Sequence, residues 1–214
     1  MPLPPDHNLR QFLLFAFALI LPCFALWTLA AGAIAMPAVG LADMILHTAY
    51  PQIVDGVVFH GKDVVLMTQF GELNGRPVPP GQSEYRLAFA INPGILSYSL
   101  PFYATLYFAT PGKRGVISFV SGVLVLYPLI LVGILSVCMK ELMINLGGQF
   151  MEQPGVFVPN GTVIALFYQL NVLIVPSVAP ICLWAWQSRD TELIRGLLKL
   201  LPATEHTPAD RFRD

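Results

Sequence analysis

The stretch that decides the fold runs from Val116 to Met139 and reads VISFVSGVLVLYPLILVGILSVCM. It contains no Asp, Glu, Lys, Arg or His, and it exceeds the ~20 residues that an α-helix needs to cross the hydrocarbon core of a bilayer. Three further segments share this character: Phe12–Ala35, Gly94–Ala109 and Thr162–Gln187. Because a charged side chain at mid-depth in a membrane costs several kcal/mol, the four segments predict an integral membrane protein.

The composition is that of a chain committed to lipid. Hydrophobic residues make up 55% of the sequence and charged residues 12%, whereas a soluble domain carries about 25% charged residues. The net charge is −1 and no stretch resembles a basic nucleic-acid face, so the expected partners are membrane lipids and another membrane protein, not nucleic acid. The apolar segments also lack the ionisable groups that ion-coupled transporters and proton relays require.

These patterns predict a mainly α-helical fold: a four-helix transmembrane bundle with a small extracytoplasmic β-containing insert. Residues 1–35 would hold the N-terminus and the first span, and residues 36–93 the extracytoplasmic amphipathic helix and β-insert. Residues 94–187 would form the second to fourth spans with short loops, and residues 188–214 a cytoplasmic amphipathic helix and tail.

The distribution of basic residues predicts the orientation. With four spans, eight of the 12 Lys and Arg residues share the side of the two termini, so the positive-inside rule places both termini in the cytoplasm. Ala33-Ile34-Ala35 resembles a signal-peptidase site, which leaves cleavage of the first segment as an alternative. The apolar run is longer than the roughly 7–15 residues of a signal-peptide core, which favours a retained span.

The insert contains both helix and strand signals. An amphipathic helix is expected to start at Pro37 and to lie along the outer membrane surface. Val54–His60 and Val64–Phe70 are rich in β-branched and aromatic residues and flank a short polar turn, which predicts a β-hairpin. Glu84–Ile91 alternates polar and apolar residues and predicts a third strand.

The strands predict an apolar sheet face that needs a cover. Alternation would place six side chains on this face: Val57, Phe59, Val65, Met67, Leu87 and Phe89. Such a face is too large to leave exposed, and so small a sheet has little core of its own. The face is therefore expected to pack on the neighbouring helix or to dock a partner, with Phe59, Met67 and Phe89 as candidate partner-binding residues.

Gln169 and Asn171 are the most polar side chains deep in a predicted span. Amides at such positions usually hydrogen-bond to neighbouring helices at about 1 kcal/mol each, so we expect them to hold the bundle or a membrane partner together. The alternative function is a transporter or channel for a neutral or lipidic molecule. It would place these two amides and the hydroxyl groups of the second segment around a cavity.

The residue types that carry chemistry are scattered. The three cysteines fall at different depths and the four histidines on both sides, so the sequence predicts no disulfide, metal site or cofactor. One catalytic combination remains as an alternative: Cys138 as nucleophile with Arg86 and either His47 or His60, all on the outer side, in a membrane-embedded cysteine enzyme. No spacing in the sequence places these side chains within reach of one another.

One stretch carries a family resemblance. Asn92–Pro101, NPGILSYSLP, leads through an aromatic segment to Thr110–Arg114, TPGKR. This pattern resembles the small membrane proteins that are associated with exosortase H in bacteria. The resemblance implies a bacterial inner-membrane accessory, with an exosortase as partner, in a system that recognises C-terminal sorting signals on exported proteins.

The chain does not resemble an exosortase itself. Exosortases carry their Cys, Arg and His in that chain order, whereas here His47 and His60 precede Arg86 and Cys138. We therefore expect a multi-pass inner-membrane accessory or assembly subunit that has no enzymatic activity and no catalytic residues of its own.

Overall fold

A computed structural model describes residues 5–61, 63–111 and 115–200. The described chain is mainly helical and carries one small antiparallel sheet. In chain order the helices are α1 (Pro5–Ala49), α2 (Gly94–Ser97), α3 (Ser99–Ala109), α4 (Val116–Leu146), α5 (Gly148–Met151), α6 (Gly161–Gln169), α7 (Val175–Ser188) and α8 (Glu192–Leu200). A π-helical turn, Leu170–Ile174, joins α6 to α7 without a break.

Three helical segments are long and apolar enough to cross a membrane: Leu9–Ala49, Val116–Leu146 and Gly161–Ser188. The predicted count of four spans is not confirmed, because α3 has only 11 residues. At 1.5 Å per residue it is about 16 Å long, roughly half of the ~30 Å hydrocarbon core. The residues before α3 form the separate short helix α2, which begins directly after Pro93, so they do not lengthen α3.

The α2–α3 segment nevertheless returns the chain along the bundle. Leu96 packs beside Gly133 of α4, and Tyr103 packs beside Gly122. Rising residue numbers in α3 thus meet falling numbers in α4, so the two helices are antiparallel. The segment carries the chain from the sheet end of the molecule back to the start of α4.

Helix α1 is one continuous helix of 45 residues, which corrects the prediction of a separate amphipathic helix that starts at Pro37. Pro37 lies inside the helix. The face formed by Ala35, Ala38 and Ala42 is buried against protein rather than laid on lipid. Small side chains allow this close packing, and the tertiary contacts outweigh the helix-breaking tendency of a proline.

The sheet confirms the predicted hairpin and third strand, and it adds a short strand that the sequence analysis did not predict. Its strands are β1 (Val54–His60), β2 (Asp63–Leu73), β3 (Arg76–Val78) and β4 (Arg86–Ile91). Strand β2 is central, with β1 and β3 on one edge and β4 on the other, because Gly71 pairs with both Val78 and Arg86. The β2–β3 turn uses Asn74 and Gly75, both with positive φ.

The sheet is held against the end of α1. The carboxylate of Asp43 accepts a hydrogen bond from the backbone N–H of Val57 at 2.7 Å, which pairs one edge strand with the helix. Beyond α4, the ring of Phe150 packs against Tyr50 with centroids 5.8 Å apart. Helix α1, the sheet and the end of α4 therefore share one apolar core.

Parts of the orientation prediction lie outside the described residues, namely Lys113, Arg114 and the tail 201–214. The predicted helix after the last span is present as α8. Its Leu193 is buried in the same core as residues of α1, so α8 packs on protein.

Candidate functional site

The structure does not assemble the catalytic combination. Cys138 is fully buried in the core of α4, with 0% of its surface exposed. Arg86 is paired with Asp55 at 2.8 Å on the sheet, and His60 is exposed at the hairpin tip. Within the described ranges, no three His, Cys, Asp or Glu side chains are grouped closely enough to hold a metal ion. This arrangement gives the cysteine-enzyme alternative no support.

The polar side chains of α3 bond to neighbouring helices, as expected for a segment rich in hydroxyl groups. The Tyr103 hydroxyl donates to Gln187 Oε1 at 2.5 Å. Near the end of α3, the Trp184 indole N–H donates to the hydroxyl of Thr110 at 2.7 Å. These bonds fasten α3 to α7. The hydroxyl groups of Tyr103 and Thr110 are thus interhelical contacts, whereas that of Thr105 bonds to the carbonyl of Pro101 in its own helix.

Tyr127 makes a contact that the sequence did not indicate. Its hydroxyl donates to the carbonyl of Ile34 at 2.9 Å and accepts from the N–H of Ala38 at 3.0 Å. In a regular helix those two backbone groups would bond to each other. The Tyr127 side chain of α4 thus takes part in the backbone hydrogen bonding of α1 beside Pro37. This contact links the two long helices.

The cleft between the spans is small. Leu96, Leu126 and Pro176 are among the residues that line it, and it encloses about 10 Å³. That volume is enough for at most a single water molecule. Neither Gln169 nor Asn171 lines it, so it gives the transporter or channel alternative no support.

The two candidate amides have different environments. Asn171 is buried, and its side chain donates to the carbonyl of Phe167 in its own helix at 2.8 Å. Gln169 is exposed on the outer surface of the bundle, and no described residue forms a hydrogen bond with its side chain. The ammonium group of Lys140 lies over the ring of the neighbouring Tyr168. Because Lys140 is near the end of α4 that faces the sheet, Gln169 lies in the half of its helix that is nearer the sheet.

The predicted apolar sheet face needs a correction in register. Phe59 pairs with Val64 and Phe89 pairs with Leu66, so Phe59 and Phe89 lie on the face that packs toward the core. Met67 lies on the opposite face, together with Val65 and three small or apolar neighbours on β1 and β4: Val58, Ala88 and Ala90. The six side chains therefore do not form one docking surface. Whether the face that carries Met67 binds a partner remains a prediction.

An open groove lies between the sheet and α5. Its volume is about 770 Å³, within the ~300–1,000 Å³ range of ligand sites. Four glutamines line it together with Glu152: Gln52, Gln69, Gln149 and Gln153. The sequence carried no signal for this groove, because its walls come from segments about 80 residues apart in the chain and no shared motif links them.

Comparison with known proteins gives one match. The family model described as "Exosortase H-associated membrane protein" matches residues 6–191, which is most of the 214-residue chain. No curated protein matches the chain, and no solved structure does.

Proposed function

The chain belongs to the family of exosortase H-associated membrane proteins, and from this premise we propose that it is a non-enzymatic accessory subunit that binds exosortase H in the bacterial inner membrane. In this proposal both termini are cytoplasmic and the sheet is extracytoplasmic, in agreement with the distribution of basic residues. The family description supports the choice of partner, and the scattered catalytic residue types support an accessory role.

The observation that carries the proposal is the exposed amide of Gln169. Three large apolar side chains surround it on the outer surface, namely Leu166, Leu170 and Leu173, which are 45–67% exposed. Leu166 and Leu173 are three and four residues away from Gln169, so they lie on its face of the helix, and Leu170 is its neighbour in the chain. On a surface that faces only lipid, a hydrogen-bonding group at such a position would have no partner.

The depth of Gln169 strengthens this argument. The continuous helix Gly161–Ser188 has 28 residues, a length of about 42 Å, which exceeds the ~30 Å hydrocarbon core by about 12 Å. Gln169 lies eight residues, about 12 Å, from the start of that helix. If the helix is centred, the amide lies about 6 Å inside the hydrocarbon, where an unpaired polar group is unfavourable.

The local backbone also favours a contact site. The π-helical turn Leu170–Ile174 begins directly after Gln169. Such turns are rare and frequently occur at functional sites, because the extra residue changes the direction in which the neighbouring side chains point. A transmembrane helix of the partner that carries an amide, hydroxyl or carboxyl group at the same depth would pair with Gln169 and cover the three leucines.

The test is co-purification of tagged exosortase H with the full chain in mild detergent. Gln169→Leu removes the amide and keeps an apolar, helix-compatible side chain, so the protein should fold and insert normally. Interhelical hydrogen bonds contribute about 0.6–2 kcal/mol, which corresponds to about 3- to 30-fold weaker association.

Leu29→Ile provides the matched control, since Leu29 is 87% exposed on α1, far along the chain from Gln169. This variant should retain the wild-type yield of exosortase H. Equal recovery of exosortase H with wild type and Gln169→Leu would contradict the proposed contact, and no recovery with the wild-type chain would contradict the proposed function itself.

A further inference from the structure

The groove between the sheet and α5 is held open by its own side chains. The Gln69 side-chain N–H donates to the carbonyl of Pro51 at 2.8 Å, and the Gln149 side-chain N–H donates to the carbonyl of Pro77 at 2.9 Å. Gln69 thereby joins β2 to the loop before β1, and Gln149 joins α5 to β3. The walls are fixed without a ligand, so the groove is already formed.

These contacts determine which polar atoms remain available. They use one of the two side-chain N–H groups of Gln69 and one of Gln149, and a longer contact of 3.4 Å to Gln52 uses one of Gln153. Each side chain keeps its Oε1, and no described residue donates a hydrogen bond to any of these three oxygens. The lining therefore presents both free carbonyl oxygens and the remaining side-chain N–H groups to an incoming molecule.

The charge of the groove also favours a ligand that donates hydrogen bonds. Glu152 is the ionisable residue of the lining, it is exposed, and no ion pair forms between it and any described cation. A carboxylate accepts hydrogen bonds and attracts a positive charge. The complementary ligand therefore has both N–H donors and carbonyl acceptors, as a polypeptide backbone does, and carries a cationic group.

We propose that this groove binds an extended polypeptide segment that contains a lysine or an arginine. An extended backbone offers N–H groups along its length to the glutamine oxygens, and the basic side chain would reach Glu152. The groove is open, and α5, which lines it, directly follows α4, one of the helices that are long and apolar enough to cross a membrane. This inference rests on the proposed function in one respect, namely the identity of the protein that supplies the segment.

Peptide binding to the purified full chain in neutral detergent tests the proposal by fluorescence anisotropy. The probe is a short capped Gly/Ser peptide with one central arginine, and the matched peptides carry glutamine or glutamate there. We expect the arginine peptide to bind tightest, by about two- to fivefold over the glutamine peptide, as an exposed ion pair allows. Glu152→Gln should remove that preference, whereas Glu84→Gln, at an exposed acidic residue outside the groove, should keep it.

A second variant tests the location. A Cβ added at Gly148 would contact only the Glu152 carboxylate, at 3.8 Å or beyond, so a side chain can start there without overlap, and Gly148→Trp should fill the groove that this residue lines. It should abolish binding of all three peptides. Retained binding would place the peptide elsewhere and overturn the proposal.

Two other results would also overturn it: no binding of the arginine peptide to the wild-type chain, or binding of glycerophosphoethanolamine in its place. The second result would assign the acceptors to a lipid headgroup. None of these outcomes depends on recovery of exosortase H, so failure of the groove proposal is distinguishable from failure of the proposed function.

Discussion

The hydroxyl of Tyr127 on α4 accepts a hydrogen bond from the backbone N–H of Ala38 on α1 at 3.0 Å, and it donates to Ile34 at 2.9 Å. Pro37, which has no N–H, lies between those two residues of α1. The contact therefore stabilises α1 where its ladder is weakest. It lies between the uncharged part of α1, Phe12–Ala35, and the part that carries the sheet.

Tyr127→Phe should destabilise the protein by about 1–3 kcal/mol, because two partly buried backbone groups lose their partner. Chemical unfolding in detergent measures the loss. Tyr85→Phe is the control, since Tyr85 is 77% exposed, and that variant should unfold like wild type. Equal stability of both variants would show that the Tyr127 hydroxyl does not support α1.

Tyr50 should make stability fall at alkaline pH. Burial raises the pKa of its phenol above the ordinary value of 10.0, and the hydroxyl donates to the carbonyl of Phe157 at 3.2 Å. The folded protein keeps this phenol protonated at pH values where the unfolded chain ionises. The stability that Tyr50 contributes is therefore fully present below about pH 10 and is lost as the pH rises through the folded-state pKa.

Unfolding curves recorded from pH 8 upward measure this effect. Tyr50→Phe has no ionisable group at this position, so its stability should fall less steeply above about pH 10 than that of wild type. Parallel pH profiles for the two proteins would contradict the role given to Tyr50.

Gly122 should not tolerate a side chain. A Cβ at this position would overlap the ring and hydroxyl of Tyr103, a residue that is fully buried between α3 and α4. Gly122→Ala should therefore destabilise the bundle by about 1–3 kcal/mol through overpacking. Gly32→Ala is the matched control, because a Cβ there meets no atom within 4 Å, and thermal unfolding of that variant should be unchanged or improved.

The two faces of the sheet should respond differently to an acidic substitution. Phe89 packs toward the core, so Phe89→Asp places an unpaired carboxylate against apolar side chains and should lower stability by about 1–3 kcal/mol. Met67 lies on the other face, so Met67→Asp should change stability by about 0.5 kcal/mol or less. Thermal unfolding that ranks the two variants the other way would contradict the observed register.

Local patterns were sufficient to predict the membrane class, the hairpin and the third strand. The uncharged run Val116–Met139 and the β-branched run Val54–His60 depend on interactions within the segment or with its nearest neighbour. The prediction that Phe59 and Met67 share one face of the sheet was wrong. His60 pairs with Asp63, so odd-numbered residues of β1 lie opposite even-numbered residues of β2, and an error of one residue moves a side chain to the other face.

Other features required knowledge of tertiary packing. The continuation of α1 through Pro37 depends on Tyr127, which is 90 residues further along the chain, and local propensity favoured a helix start there. The groove likewise brings Gln69 and Gln149 close together, although no periodicity or motif in the sequence links these two residues. The amide of Gln169 was identified from the sequence, but its exposure on the outer surface was not.

Site-specific photo-crosslinking in living cells tests whether Gln169 lies at the contact with exosortase H. A photoreactive phenylalanine analogue at position 169 should form a covalent product with exosortase H, because Gln169 lies at the proposed contact. The same analogue at the outward-facing Leu29 should form far less of it. Crosslinking to exosortase H from position 169 and not from position 29 is the result we predict. Equal crosslinking from both positions, or none from position 169 with normal expression of both proteins, would contradict the account.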